Sequence, residues 1–365
     1  MLLNTGVGFQ VSQKITLEKI PAVEFDENEV EVVTLSKEDI NGECERNNIF
    51  VFAFILFFSY FCLIKNSIRI ILSWLSNDFG GFWRSLKRMS FEEISKEWER
   101  QKSVVANDKN HSSSVLFDKF CPKIREAKAG AARWQSLRLF YRYYEEVEPS
   151  LPNDWRGSMV KFWARRIENR QAVTNRFKIV YGLLSDRYKK SGKSYLKIVS
   201  IASGSADAVI RSIRDNPEIK FSVTLIDIDQ TALDEAKRQV EIQGIKNANF
   251  EYIIGEPKKI NEVCKIEKAD IIEMVGLMDY LSHKVGVKYS SNIKKALCPG
   301  GLFLTGNIEP NREELFLHWV FMWSKMKYRR PNQLAEILHG AGFSQYKMVI
   351  VEEPLKIHMI AVCVN

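Results

Sequence analysis

The stretch LKIVSIASGSADAVIRSIRDNPEIKFSVTLIDID, residues 196–229, decides the fold. It begins with IVSI at 198–201, an apolar and β-branched run typical of a strand buried on both faces. Small residues at 202–206, a helix-length segment at 207–215 and a second apolar strand at 221–226 follow. The order of strand, tight turn, helix and strand predicts a βαβ unit of a parallel sheet.

The turn and the end of the second strand together predict a nucleoside-binding site. The small residues around Gly204 allow a ligand to approach backbone N–H groups at the start of a helix. Asp227 ends the second strand, where a carboxylate accepts hydrogen bonds from the hydroxyls of a ribose. The turn has one glycine and not the three of a G-x-G-x-x-G fingerprint, so an ordinary turn without a ligand is the alternative.

Composition and charge restrict the class of protein. The 365 residues are 45% hydrophobic, enough for two domains, or for one domain with an extension. The net charge is +8, although residues 1–48 hold only four Lys/Arg against ten Asp/Glu. No arginine-rich run or RNA-binding motif accompanies the basic remainder, so a nucleic-acid partner is not expected. The six cysteines and five histidines are scattered, without C-x-x-C spacing, and predict no metal or redox site.

A long apolar run predicts a membrane-associated helix over residues 49–75. Residues 49–64, IFVFAFILFFSYFCLI, carry no charge and make a helix of about 24 Å, against roughly 30 Å of hydrocarbon. Together with IRIILSWL at 68–75, the run fits a short spanning helix with an interfacial continuation, or a helix that dips into one leaflet. Its six phenylalanines leave no polar face for the alternative, a buried core or dimer helix. Basic residues follow the run, which predicts that the catalytic body faces the cytoplasm.

The remaining chain divides by composition and periodicity. Residues 91–101 have helical spacing, and ANDKNHSSS at 106–114 is polar and turn-rich, as a linker is. One long helix is predicted from 155 to about 188. In chain order the predicted units are an acidic extension with a β-like run near 30–35 (1–48), the membrane-associated helix (49–75), a helix with the linker (76–114), a helical cap (115–192) and a sheet domain (193–365).

The sheet domain alternates strands with helices, which predicts an α/β fold with a mostly parallel sheet. Pro354-Leu355 joins the last two strands and is too short for a parallel crossover, so these two strands are predicted to form a C-terminal antiparallel hairpin. The seven predicted strands are 196–202, 221–227, 249–254, 269–274, 301–306, 345–352 and 356–363.

This pattern resembles the class I S-adenosylmethionine-dependent methyltransferases, a Rossmann-like family, over about residues 193–365. The turn at 200–206 and Asp227 correspond to the family's glycine-rich turn and ribose-binding acid. MVGLMDY at 274–280 resembles the segment that faces the donor methyl, and LCPGGL at 297–302 resembles the "LxPGG" turn into strand five. The resemblance implies that S-adenosylmethionine is the cofactor of this domain.

The resemblance also implies which residues form the site. Asp279 and Tyr280 are the expected catalytic residues, next to the donor methyl. The expected cofactor-binding residues are Ala202, Ser203, Gly204, Ser205, Asp227, Ile228, Gly255, Glu256 and Val275.

Three residues of the first turn depart from the family pattern. Ser200 stands where the family usually has an acid, which is the group that holds the methionine ammonium. Asp279 or a backbone carbonyl is the expected substitute for that acid. Ala202 and Ala206 replace glycines, which alanine tolerates where the backbone angles are ordinary.

Methyl transfer is an in-line displacement, for which an enzyme mainly supplies proximity and orientation. A base is needed only when the nucleophile arrives protonated. The membrane-associated helix favours a lipid or another hydrophobic small molecule as the acceptor. The alternative is a non-catalytic, membrane-tethered binding or assembly protein that retains the methyltransferase fold; a nicotinamide-dependent enzyme fits the hairpin and the single-glycine turn less well.

Overall fold

The computed structural model describes residues 31–77, 91–115, 118–265, 267–344 and 347–365. At its centre is an eight-stranded sheet with the order β1-β7-β8-β6-β5-β2-β3-β4. The strands are β1 (Glu31–Thr34), β2 (Tyr195–Ile201), β3 (Lys220–Asp227), β4 (Ala248–Ile254), β5 (Ala269–Met274), β6 (Leu297–Ile308), β7 (Met348–Glu352) and β8 (His358–Val364).

Helices cover the sheet and form the cap that precedes it. They are α1 (Ile49–Asn77), α2 (Phe91–Asn107), α3 (Pro122–Ala129), α4 (Trp134–Tyr141), α5 (Trp155–Arg166), α6 (Glu168–Lys190), α7 (Asp207–Arg214), α8 (Gln230–Gln243), α9 (Ile260–Val263), α10 (His283–Ala296), α11 (Glu314–Trp319) and α12 (Pro331–Gly340).

The sheet confirms the predicted topology. Strands β2 to β6 pair in parallel, and counted from β2 their order is the 3-2-1-4-5 of a doubly wound fold. Strand β8 runs antiparallel to both β6 and β7, as the short link at Pro354 requires. All seven predicted strands are present, although residues 345–346 of the predicted strand 345–352 lie outside the described residues.

An eighth strand comes from the acidic N-terminal segment. Strand β1 pairs in parallel with β7, and the Thr34 hydroxyl donates a hydrogen bond of 2.6 Å to Glu352. The β-like run predicted near 30–35 is therefore an edge strand of the sheet, and residues 31–34 belong to the same folded body as residues 193–365.

The single helix predicted from 155 to 188 is wrong, because the structure breaks it at Ile167. Ile167 has φ −70° and ψ 112°, outside the helical region. The buried carboxylate of Glu313 accepts hydrogen bonds from the first two N–H groups of α6, those of Glu168 at 3.1 Å and Asn169 at 2.9 Å. A distant side chain thus caps a new helix where the sequence pattern continues the old one.

The linker predicted at 106–114 is also wrong. Helix α2 continues to Asn107, and residues 111–114 are buried. The His111 ring lies 3.0 Å from the Asn66 side chain, and the Lys128 ammonium donates to the Ser113 hydroxyl at 2.8 Å and to Asp118 at 3.2 Å. These polar side chains satisfy one another inside the protein, which is why their composition resembles that of an exposed loop.

The cap shares its core with the sheet domain. One apolar cluster contains side chains from α1, α2, the cap and residues 308–326. Within it, the rings of Trp98 and Trp319 stack with their centroids 5.1 Å apart. The predicted cap and sheet domain therefore pack together, and the surface between them is where the cavities described next are found.

Candidate active site

The first turn, residues 202–206, joins β2 to α7 and has an unusual backbone. Ala202, Gly204 and Ala206 all have left-handed φ angles, of 51°, 53° and 51°. The condition under which alanine replaces glycine without strain, ordinary backbone angles, is therefore not met at Ala202 and Ala206. Each alanine adopts this glycine-like conformation at a cost of about 1–2 kcal/mol, so the turn has left-handed angles at two positions without glycine there.

An acid that the sequence analysis missed lies beside this turn. Ser200 on β2 and Glu273 on β5 are partners in the sheet register, and the Ser200 hydroxyl donates to the Glu273 carboxyl at 2.5 Å. The Val275 N–H donates to the other oxygen at 2.8 Å. Burial raises the pKa of Glu273 to about 7. A buried carboxyl on the neighbouring strand thus lies beside Ser200, the position at which β2 lacks an acid.

Asp227 ties the first turn to the end of β3. One carboxylate oxygen accepts the Gly204 N–H at 2.8 Å and the other accepts the Asp229 N–H at 2.9 Å. Each oxygen keeps a lone pair for a further donor. The Gly255 N–H donates to the Asp227 carbonyl at 2.9 Å, so the ends of β3 and β4 are adjacent. Ile228 is exposed.

A crevice of about 520 Å³, here the turn crevice, lies between the turn and the cap. Glu273 and Val275 line the crevice from the sheet domain, and Arg176 is one of the residues that line it from the cap. Of the nine predicted cofactor residues, the crevice brings together 202–205 and Val275. The other four, which do not line it, lie at the ends of β3 and β4: Asp227, Ile228, Gly255 and Glu256.

Helix α4 covers the turn crevice. A Cβ atom added at Gly204 would lie 3.3 Å from that of Trp134, a close contact that favours glycine. The Trp134 ring N–H donates to the Thr231 hydroxyl at 3.0 Å, at the start of α8. The Arg142 guanidinium pairs with Asp207 at 2.7 Å. The cap is thus fixed to the start of both helices that follow β2 and β3.

A second space, here the apolar cavity, adjoins the turn crevice and has about 910 Å³ of empty volume when its opening to solvent is included. Leu137 and Arg176 line both spaces. The walls of the apolar cavity are mostly aromatic and aliphatic side chains of the cap and of residues 308–326, among them Phe140, Phe316, Phe321, Trp323 and Met326.

Asp279 lies in the apolar cavity and not in the turn crevice. The expectation that it substitutes for the missing acid of β2 is therefore wrong, and Glu273 stands there instead. One Asp279 oxygen accepts the Ile308 N–H at 2.7 Å, and the other lies 3.9 Å from the Arg176 guanidinium. Burial raises the pKa of Asp279. This pair adds to the charged groups of a mostly apolar space, which Lys123 and Arg170 also line.

Tyr280 forms part of the cavity wall. Its hydroxyl accepts a hydrogen bond of 2.8 Å from the Trp323 ring N–H. Burial raises the pKa of Tyr280, so the phenol is neutral at ordinary pH. Both predicted catalytic residues thus border the apolar cavity, and their catalytic roles stay a prediction.

His358, at the start of β8, is a second residue that the sequence analysis missed. It is buried, it lines the apolar cavity, and its Nδ1 atom has no hydrogen-bond partner among the described residues. Burial and the charge of Arg176 lower the pKa of His358 well below its ordinary value, so its imidazole is neutral. The one sequence signal was a histidine within the apolar strand HMIAVCV.

Comparisons with known proteins show a likeness of fold. No family model and no curated protein matches the chain. A possible exported protein of Bordetella parapertussis matches with a TM-score of 0.51 and 12% identity, over 76% of this chain and 98% of that one. Magnesium protoporphyrin IX methyltransferase of Synechocystis PCC 6803, with bound S-adenosylmethionine, gives 0.41 and 11%, over 55% and 84%. The S-adenosylmethionine-dependent methyltransferase SibL gives 0.40 and 12%, over 78% and 77%.

The arrangement of the chain agrees with the resemblance found in its sequence. The doubly wound strand order ends in the antiparallel pairing of β8, and the tight turn after β2 lies next to an acid at the end of β3. The chain therefore has the fold of the class I S-adenosylmethionine-dependent methyltransferases.

Proposed function

We propose that the protein transfers the methyl group of S-adenosylmethionine to a hydrophobic acceptor held in the apolar cavity. The observation that carries the proposal is the meeting of two unlike spaces at Leu137 and Arg176. One space has the backbone turn and the acid that suit a charged nucleoside donor. The other is large and apolar. Two substrates held on either side of one boundary are positioned for transfer between them.

The residues of the turn crevice fit the methionine half of the donor. The Glu273 carboxylate would hold its ammonium group, with the Ser200 hydroxyl and the Val275 N–H fixing the carboxylate in place. Asp227 has lone pairs free for the ribose hydroxyls, and Gly255 and Glu256 would border the adenine. When bound, the donor supplies a methyl group on a positively charged sulfur.

The apolar cavity fits an acceptor with a hydrophobic body and a hydroxyl group. Its walls are mostly apolar, and the buried polar side chains of Arg176, Asp279 and His358 are among the residues that line it. A neutral imidazole accepts the proton that a hydroxyl loses as it is methylated. We assign this role to His358, since its Nδ1 atom has no other partner in the described structure. Arg176 and Asp279 would orient the polar end.

The proposal is tested with the purified full-length protein, a donor labelled in its methyl group, and a total lipid and small-molecule extract. Donor binding is measured first by calorimetry, with S-adenosylhomocysteine as the competitor. Label is then expected to appear in the organic phase, and to stay absent when the competitor is in excess. Label found only in aqueous products contradicts a hydrophobic acceptor. Absence of donor binding contradicts methyl transfer altogether and supports the binding or assembly protein instead.

A further inference from the structure

We infer that α1 lies in the plane of an anionic membrane surface, with one apolar face among the lipids and the opposite face packed on the protein. The inference is independent of the proposed reaction. It concerns a surface that the cavities do not include, and it decides between the two arrangements that the sequence leaves open for residues 49–75.

The outward face of α1 is a continuous apolar stripe. Phe50 is 82% exposed, Phe57 is 70% exposed and Ile64 is 57% exposed. The stripe recurs every three or four residues, so its members lie on one side of the helix, and it extends for about 33 Å. Its members are Phe50, Phe54, Phe57, Phe61, Ile64, Ile68 and Leu72.

The opposite face of α1 is buried against the protein. Ile55, Cys62 and Ile70 are at most 3% exposed, and Ser59 and Asn66 lie between them on the same face. The Asn66 side chain is 3.0 Å from the His111 ring. Packing from Ile55 to Ile70 occupies about 22 Å of helix.

This packing is incompatible with a helix that crosses a bilayer. A spanning helix contacts lipid along its length, and the body that covers α1 would have to enter the hydrocarbon with it. That body carries charge close behind the helix, including the buried ion pair of Lys128 and Asp118. Charged groups in hydrocarbon cost several kcal/mol each. By length and composition alone α1 is able to span a membrane. The packing of its inner face on the protein is the reason that we place it along the membrane surface.

Three features identify the occupant of the stripe as a lipid surface. Over its best 18-residue window the mean hydropathy of α1 is 2.0 and only 28% of the window is buried, whereas a core helix of that hydropathy is mostly buried. Lys65 and Arg69 are exposed on one flank of the stripe, where each adds about 1 kcal/mol of attraction to anionic lipid. The aromatic surface continues onto α5, because Trp163 stacks on Phe54 at 4.9 Å beside the half-exposed Phe162.

The same helix α5 connects this surface to the apolar cavity. Trp163 contacts α1, whereas the next residue, Ala164, lines the cavity. A hydrophobic acceptor dissolved in the membrane would thus be separated from the cavity by a single helix.

Flotation of the full chain with vesicles tests the inference. Wild-type protein is expected to float with phosphatidylcholine vesicles that contain phosphatidylglycerol, and less with phosphatidylcholine alone. The double variant Phe57→Asp/Ile64→Asp is expected to lose about tenfold or more in binding, since two apolar anchors become charged. Its control is Tyr195→Asp/Ile242→Asp, which changes two exposed apolar residues on the sheet domain and is expected to bind as wild type does.

A second measurement separates lying from spanning. A fluorescent label is attached to the new cysteine of the Phe57→Cys and Ile68→Cys variants, and labelled wild-type protein gives the background signal. The depth of each label in the membrane is measured from its quenching by lipids that are brominated at different positions. Equal depths are expected. A spanning helix would separate the two labels by about 16 Å of depth and would overturn the inference. Failure of the wild-type protein to float would overturn the inference as well. So would an equal loss of vesicle binding in both double variants. A dimer in solution that Phe57→Asp/Ile64→Asp separates would also overturn it.

Discussion

The turn crevice and the apolar cavity share Leu137 and Arg176, yet they are formed by different parts of the chain. The crevice consists largely of one short turn, whose backbone conformation and neighbouring acids provide its chemistry. The cavity consists of side chains from segments between 123 and 358 that come together only in the folded chain. The first suits a ligand recognised by charge and hydrogen bonds. The second suits a ligand recognised mainly by its exclusion of water.

The two spaces also differ in how their ionisable groups are held. In the crevice, Glu273 titrates near neutral pH, because burial opposes its charge while Ser200 and the Val275 N–H support it. In the cavity, His358 is fixed as a neutral ring by burial and by Arg176. The donor side therefore responds to pH near neutrality, whereas the His358 ring keeps the same neutral state there. Three substitutions test this contrast.

The largest effect is expected from His358→Gln on the acceptor side. Loss of the proton acceptor lowers turnover of a hydroxyl acceptor by about a hundredfold. Donor affinity, measured by calorimetry, should change less than about twofold, because the residue does not line the turn crevice. His283→Gln, at an exposed position on α10, is the matched control and should retain full turnover. Unchanged turnover in His358→Gln would remove the base from the proposal.

A smaller effect, about tenfold, is expected from Glu273→Gln on the donor side. A neutral amide no longer pairs with the donor ammonium, and a charge-assisted hydrogen bond is about twice as strong as a neutral one. Since the pKa of Glu273 is about 7, wild-type affinity should rise by about tenfold between pH 6 and pH 8 as the carboxyl ionises. Calorimetry at both pH values should show this rise in wild type and a flat profile in the variant.

Stability provides an independent check on the same carboxyl. Its folded pKa is about 7, above the ordinary value of 4.5, so the unfolded chain loses this proton first. The free energy of unfolding should therefore fall as pH rises from about 4.5 to 7, and this part of the fall should be absent in Glu273→Gln. Glu251→Gln on β4 is the control, since Glu251 is exposed. If the control and the variant lose the same pH dependence, Glu273 does not titrate as inferred.

Features that depend on neighbouring residues could be predicted from the sequence. The strands, the turn at 202–206, the antiparallel hairpin and the position of Asp227 all follow from local pattern, and the structure has them. Glu273 could not be found that way. It is 73 residues from Ser200 in sequence, and only the register between β2 and β5 brings the two together.

The helical part was harder to predict for the same physical reason. The break at Ile167 depends on Glu313, which is 145 residues from the N–H group of Glu168 that it binds. Residues 111–114 resemble a linker until Asn66 and Lys128 are placed against them. The apolar cavity forms where the cap packs on the sheet domain. The periodicity of the sequence does not predict how the two pack together. In the first two cases a long-range polar contact overrides a local preference.

The smallest effect concerns the backbone of the turn crevice and is expected from Ala202→Gly. Glycine removes about 1–2 kcal/mol of strain at this left-handed position. It also raises the conformational entropy of the unfolded chain, which lowers the stability by about 0.5–1 kcal/mol. The net stabilisation should be below about 1 kcal/mol.

Ala208→Gly is the matched control, because Ala208 lies in the first turn of helix α7, where glycine destabilises by up to about 1 kcal/mol. Both variants exchange the same two residue types, so the unfolded-state term cancels in their difference. Urea unfolding should therefore separate the two variants by about 1–2 kcal/mol, which is the left-handed strain itself. Equal destabilisation by both would mean that Ala202 is not left-handed, and the turn would then lack the glycine-like backbone on which the donor side of the comparison depends.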